Sequence, residues 1–258
     1  MADYEEMFMD KEQDAYNFQR WSAMKQKKLV QAMLPVYILA AFVMVVISAA
    51  GSRTVTVLSE NAPVQSRVCI IIDPGHGGED GGASSPGGTS ESDLNLQIAL
   101  RLEDLLHLLG YDTYMIRRTD ISVYTVGNTL SQKKVSDLKE RVRIVNETEN
   151  AVLISIHQNY FSESKYSGAQ VFYPRTEGSD ALAAAVQNNL VSFLNEGSNR
   201  KSKQASGIYL LEKIHSTGIL VECGFLSNPE EEALLKDPEY QKKLCCVLGV
   251  SLSNYLDG

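Results

Sequence analysis

The stretch Val68-Cys-Ile-Ile-Ile-Asp-Pro-Gly-His76-Gly-Gly constrains this chain more than any other. A β-branched apolar run of strand length stops at Pro74, and a histidine follows inside a glycine-rich loop. Glycines allow a sharp turn and a close approach to a bound group, and they leave the imidazole uncovered. Two further apolar runs share the pattern: Ala151–Ile156 leads into His157, and Gly218–Val221 leads into Glu222. Three strand-like runs, each closing on a metal-competent or proton-transferring side chain, suggest a hydrolytic metal site.

From Arg67 onward, strands and helices alternate. Strand Val68–Asp73 precedes a helix over about Ser92–Leu109, whose apolar stripe is Leu94, Ile98, Leu102, Leu105, Leu106 and Leu109, closed by Gly110. Strand Asp112–Ile116 is followed by a long polar loop to about Gln132, helix Val135–Thr148 and strand Ala151–His157. Then come strand Ala169–Tyr173, helix Asp180–Leu194, and short strands Gly207–Leu211 and Gly218–Cys223. A short helix begins at Asn228-Pro229, and a last one runs from Pro238 to about Tyr255. This alternation predicts an α/β sheet covered on both faces. Sites in such sheets gather at the carboxyl ends of the strands, where His76, His157 and Glu222 fall.

The 258 residues are 44% hydrophobic and 22% charged, enough for a sizeable core. The net charge of −8 argues against nucleic-acid binding, which leaves a basic footprint. Cys69, Cys223, Cys245 and Cys246 form no C-x-x-C pair and read as buried thiols, with a Cys69–Cys223 bridge left open. Leu34–Ala50 is apolar and uncharged, with Arg20, Lys25, Lys27 and Lys28 before it and Arg53 after. By length and flanking charge it reads as an uncleaved signal anchor with the N-terminus inside. The expected organisation is a cytoplasmic tail at 1–28, a transmembrane anchor at 29–51, a linker at 52–66 and an extracytoplasmic domain at 67–258.

Zinc's use of imidazole at open catalytic sites makes His76 and His157 candidate ligands. Glu91 is ambiguous. Ser90-x-x-Asp93 makes a capping-box pattern, and a carboxylate in the first turn complements the helix dipole, so taken alone Glu91 reads as structural. Its position, where the helix start folds back beside the His76 loop, makes it a third candidate ligand, in competition with Glu79 and Asp80. Glu222 lies in Ile-Leu-Val-Glu-Cys-Gly-Phe225, where an unpaired buried carboxylate costs several kcal/mol, so it is either a general acid–base or half of a salt bridge to Arg117 or Arg141. Asn159 could orient a ligand or bind substrate. His107, in a leucine-rich helix, and His215, in a loop, read as surface residues.

The run Ile72-Asp-Pro-Gly-His-Gly-Gly-x-Asp-x-Gly-Ala83, with Glu91, Ser155-Ile-His157-x-Asn159 and Val221-Glu222-x-Gly-Phe-Leu-Ser-Asn228, resembles the zinc-dependent N-acetylmuramoyl-L-alanine amidases of the amidase-3 type over about residues 67–256. Smaller matches, at Ser131–Val142, Ser167–Gln170 and Gly207–Leu210, resemble the germination-specific branch of spore formers. The resemblance implies one twisted mixed sheet of about six strands with helices on both sides. It implies one Zn2+ held by His76, Glu91 and His157, with Glu222 as the catalytic glutamate and Asn159 and Arg117 as helpers. The implied reaction is zinc-assisted hydrolysis of the amide joining N-acetylmuramic acid to L-alanine, in spore cortex modification toward muramic-δ-lactam and germination. The implied partners are peptidoglycan, the membrane and an unidentified accessory protein. A zinc peptidase acting within the stem peptide and a non-catalytic wall-binding regulator are the rival expectations. Gln158 and Cys223 depart from the familiar motifs at positions that the chemistry does not call for.

Overall fold

A computed structural model describes residues 68–258. Its strands are β1 (Cys69–Pro74), β2 (Asp112–Met115), β3 (Ala151–Asn159), β4 (Gln170–Tyr173), β5 (Lys203–Gln204) and β6 (Thr217–Phe225). Its helices are α1 (Glu91–Leu108), α2 (Leu130–Glu147), α3 (Ser179–Phe193), α4 (Tyr209–Lys213), α5 (Pro229–Lys236) and α6 (Pro238–Asp257). One six-stranded sheet runs in the order β2-β1-β3-β6-β4-β5. All neighbours are parallel except β4, which pairs antiparallel with β6, so the sheet is mixed as expected.

The two-residue period of the strands divides the core. Ile70, Ile72, Ile154 and Val221 face one way, against Leu94, Ile98 and Leu102 of α1, Leu182 and Val186 of α3, and Leu244 and Leu248 of α6. Ile71, Leu153 and Leu220 face the other way, against Val145 of α2 and Leu210, Leu211 and Ile214 of and after α4. Both faces of the sheet are thus covered, and the open edge available for chemistry is the row of strand ends.

The structure corrects several expectations. No helix among the described residues is long and apolar enough to cross a membrane, against the transmembrane helix expected ahead of the α/β domain. The segments read as tail, anchor and linker, 1–66, lie outside the described residues. The apolar run Gly207–Leu211 is not a strand: Tyr209–Lys213 forms a short helix that drives Leu210 and Leu211 onto the sheet. Helix α2 starts five residues early because Thr129 and Gln132 form a reciprocal capping box. Ser90 makes no side-chain cap; its hydroxyl donates to the Gly81 carbonyl (3.1 Å) instead. The cysteines are all free, but only Cys223 and Cys245 are buried, while Cys69 is half-buried and Cys246 exposed.

Candidate active site

Register alone brings three of the sequence candidates together. Pro74 of β1 lies opposite Ile156 of β3, and His157 lies opposite Glu222 of β6. Neighbouring strands are about 4.8 Å apart, so His157 and Glu222 stand side by side, and His76 follows two residues beyond β1. Glu91, at the first turn of α1, completes the set from above the sheet. Its N–H donates to the Ala83 carbonyl (2.9 Å), which ties the helix start to the end of the glycine loop.

One Glu91 oxygen, Oε1, is the meeting point. His157 Nδ1 lies 2.9 Å from it and His76 Nε2 3.3 Å from it, and the two rings sit edge to face with centroids 5.0 Å apart. The backbone N–H of Gln158 donates to the same oxygen (3.2 Å), and Ala83 N–H donates to Oε2 (2.8 Å). Burial works against charge on these groups, but their mutual attraction prevails. It holds the Glu91 carboxyl well below the usual carboxylate range and the His76 imidazole up at about 9. A buried carboxylate with two imidazole nitrogens converging on it is a set of donors that could hold a metal ion. The ligand atoms of His76, Glu91 and His157 all lie within 4.8 Å of one another. Two histidines and one glutamate form a known donor set for a catalytic metal with an open position. The residues therefore fit a metal ion.

The glycines make room for this arrangement. A Cβ on Gly75 would overlap the His157 ring, and one on Gly82 (φ +68°) would meet Glu91 Oε2 at 2.5 Å and the His76 ring at 2.7 Å. His76 itself has φ +60°, a left-handed backbone unusual outside glycine and held only by surrounding structure. Arg141 of α2 supplies that hold: it donates to the His76 carbonyl (2.7 Å) and the Pro74 carbonyl (2.9 Å) and pairs with buried Asp73. Burial opposes ionisation of Asp73, but Arg141 and the Ser155 hydroxyl (2.6 Å) outweigh it and keep the carboxyl below its ordinary value.

Arg117, expected as a helper, is 2% exposed, so it supports the site without reaching substrate. Its guanidinium donates to the carbonyls of Pro74 (2.9 Å), Gly75 (3.0 Å), Ser92 (2.8 Å) and Thr119 (3.1 Å), clamping the His76 loop to α1. Asn159 is half-buried beyond a β-bulge at the end of β3, where its carbonyl accepts from Leu226 N–H (2.8 Å). Of the competing carboxylates, exposed Glu79 pairs with Lys133 (2.6 Å). Asp80 accepts from His76 Nδ1 (3.0 Å), which leaves the other ring nitrogen, Nε2, facing Glu91. His107 bonds Thr113 (2.6 Å) and His215 is an exposed loop residue, both away from this set.

Glu222 is paired with neither arginine. Part of the residue reaches the surface, but its Oε2 is buried without a hydrogen-bond partner. Burial, reinforced by the Glu91 charge and opposed by the two histidines, pushes its carboxyl up to about 7. A carboxyl that titrates near neutrality beside a donor set can take up and return a proton.

Sequence reasoning passed over Asp73, Asn95 and Gln158. Gln158 does serve the site: its amide donates to Asn95 Oδ1 (3.1 Å), and Asn95 donates to the Gly75 carbonyl (3.1 Å). The available signal was Asp73, a charge inside an apolar strand run that burial would oblige to pair.

Comparisons with known proteins agree with this geometry. The family model described as N-acetylmuramoyl-L-alanine amidase matches residues 70–247. The germination-specific N-acetylmuramoyl-L-alanine amidase of Bacillus subtilis is 38% identical over 195 residues, 75% of this chain and 81% of that one. AmiC of Neisseria meningitidis is 28% identical, with 74% of this chain matching 53% of its length. Among solved structures, the CwlD amidase of Clostridioides difficile, in complex with the GerS lipoprotein, superposes with a TM-score of 0.71 at 38% identity, covering 74% of this chain and 99% of that one. AmiC2 of Nostoc punctiforme does so at 0.63 and 29%, covering 74% and 98%. With the family's domain spanning most of the described residues and a relative this similar over most of both chains, the chain belongs to the N-acetylmuramoyl-L-alanine amidase family of peptidoglycan hydrolases.

Proposed function

We propose that this amidase uses one zinc ion held by His76, Glu91 and His157, and that Glu222 is its proton carrier. The observation that supports this most is the convergence of His76 Nε2 and His157 Nδ1 on one Glu91 oxygen, in the neighbourhood of an unpartnered Glu222 oxygen. When bound, zinc supplies Lewis-acid polarisation of a carbonyl and acidifies water.

The chain's own residues account for the rest of the reaction. Asp80 accepts a hydrogen bond from His76 Nδ1–H, which leaves Nε2 as the nitrogen free to bind. Glu222, poised at about 7, takes a proton as water attacks the amide between the lactyl group of N-acetylmuramic acid and L-alanine. It then returns that proton to the leaving amine of L-alanine. Arg117 and Arg141 fix the loop that carries His76, and Asn159 at the end of β3 contacts substrate.

The similarity to the germination-specific enzyme of Bacillus subtilis supports a role in spore cortex modification toward muramic-δ-lactam and in germination. A peptidoglycan substrate supports an extracytoplasmic position for the domain, and the solved complex supports a lipoprotein as accessory partner. Mass spectrometry of peptidoglycan digested by the zinc-loaded protein tests the reaction. Free stem peptides beginning at L-alanine are expected; fragments cut within the stem, or unchanged material, would refute it.

A further inference from the structure

Beside the catalytic strands lies a cleft of 790 Å³ that the reaction above does not use. It opens on the β4–β5 flank. Gln170, one of its lining residues, is the register partner of Glu222, and Cα partners in antiparallel strands lie about 5 Å apart. Arg200, another, stacks its guanidinium 5.2 Å from the ring centroid of Phe225, which ends β6 three residues after Glu222. Three residues of strand span about 10 Å, so the cleft begins within roughly that distance of the proton carrier.

Its charge runs against that of the chain, which is −8 overall. Lys165, Arg200, Lys201 and Lys203 line it against Glu196 and Glu231. Glu231 is committed to the fold: its oxygens accept from the N–H groups of Gly168 (2.7 Å) and Phe225 (2.8 Å). Lys165 pairs with Glu163 (2.5 Å). Lys201 and Lys203 are exposed and have no acidic partner among the described residues, and Arg200 donates only to the Ser167 carbonyl (3.0 Å) and Gln170 Oε1 (3.4 Å).

We infer that this cleft binds the stem peptide of the substrate through its carboxylates, with Arg200, Lys201 and Lys203 as the specificity-determining residues. The inference rests on the amidase reading of the same site. Of the two arms joined at the scissile amide, the N-acetylated glycan is neutral and the stem peptide carries free carboxylates, so only the peptide matches a cationic cleft. Reach agrees: three extended residues beyond the amide span about 10 Å. The pocket at His76 and His157 presents Ile208, Tyr209 and Leu138, and its charges are paired within it, Lys134 with Asp80 and Arg141 with Asp73 and Asp137, so it suits the neutral sugar.

Steady-state kinetics on two defined muropeptides test this, one with free stem carboxylates and one with those carboxylates amidated. For the zinc-loaded wild type, amidation is expected to raise KM about tenfold and leave kcat nearly unchanged, the size of one charge-assisted contact. In Arg200→Gln/Lys201→Gln/Lys203→Gln the two substrates should converge. Lys201→Gln/Lys203→Gln, which touches only exposed side chains, should already narrow the gap by a few-fold, should loss of Arg200 disturb Phe225. Equal KM values for both substrates in the wild type, or an undiminished preference in the lysine double variant, would overturn the inference. A wild type that cleaves neither substrate would instead refute the amidase reading, a distinguishable result.

Discussion

In the zinc-free protein the Glu222 carboxyl is held up at about 7, against an ordinary value of 4.5, with burial the largest cause. At about 1.36 kcal/mol per pH unit, that gap amounts to about 3 kcal/mol against the ionised form in the folded state. Below about pH 4.5 the carboxyl is protonated in both folded and unfolded chains and contributes no penalty. As pH rises, the unfolded chain ionises first, the folded chain holds its proton longer, and stability falls until pH passes about 7. Glutamine keeps the side-chain shape and does not titrate. Any fixed cost of seating its amide is the same at every pH, so it cancels from the comparison. Glu222→Gln should therefore gain on the wild type by about 2–3 kcal/mol between pH 4.5 and pH 8, read as urea unfolding free energies in zinc-free buffer. The same substitution should lower amide hydrolysis by about 10² to 10⁴, the usual worth of a positioned acid–base, while zinc stays bound. Parallel stability-versus-pH curves for the two proteins would refute the buried, unpaired state of Glu222. Near-normal turnover would refute its role.

Two further outcomes follow from the same network. With His76 held up at about 9, the metal-free site carries a proton near neutral pH that a metal must expel. Calorimetric zinc titrations in buffers of differing ionisation enthalpy should show about one proton released per ion at pH near 7, and none released would contradict the convergence on Glu91. Arg141→Ala leaves Asp73 buried without its cation and frees the His76 carbonyl, so unfolding free energy should drop by about 3–5 kcal/mol. A loss below about 1 kcal/mol in urea titrations would show that Asp73 is not held as described.

What was legible in the sequence follows from which forces act locally. His76, His157 and Glu222 could be read because each closes a strand-length apolar run, and parallel register then aligns strand ends without further information. Glu91 could be read only by its place, since a glutamate in a first turn has an ordinary capping explanation; what distinguishes it is a pair of histidines, one of them 66 residues away. Gly207–Leu211 failed for a different reason. Five apolar residues do not separate a strand from one helical turn, and packing of Leu210, Leu211 and Ile214 on the sheet decided it. The supporting layer was hidden because its partners come from distant elements: Arg141 reaches Asp73 across 68 residues, and Arg117 reaches Pro74 across 43. Those two arginines were the salt-bridge partners that would have made Glu222 merely structural. Arg117 is spent on backbone carbonyls, and Arg141 on carbonyls, Asp73 and Asp137. The same contacts that fix the His76 loop in its left-handed turn thus keep both arginines from pairing with Glu222, and burial, outweighing the two histidines, raises its carboxyl into the range where it can carry a proton.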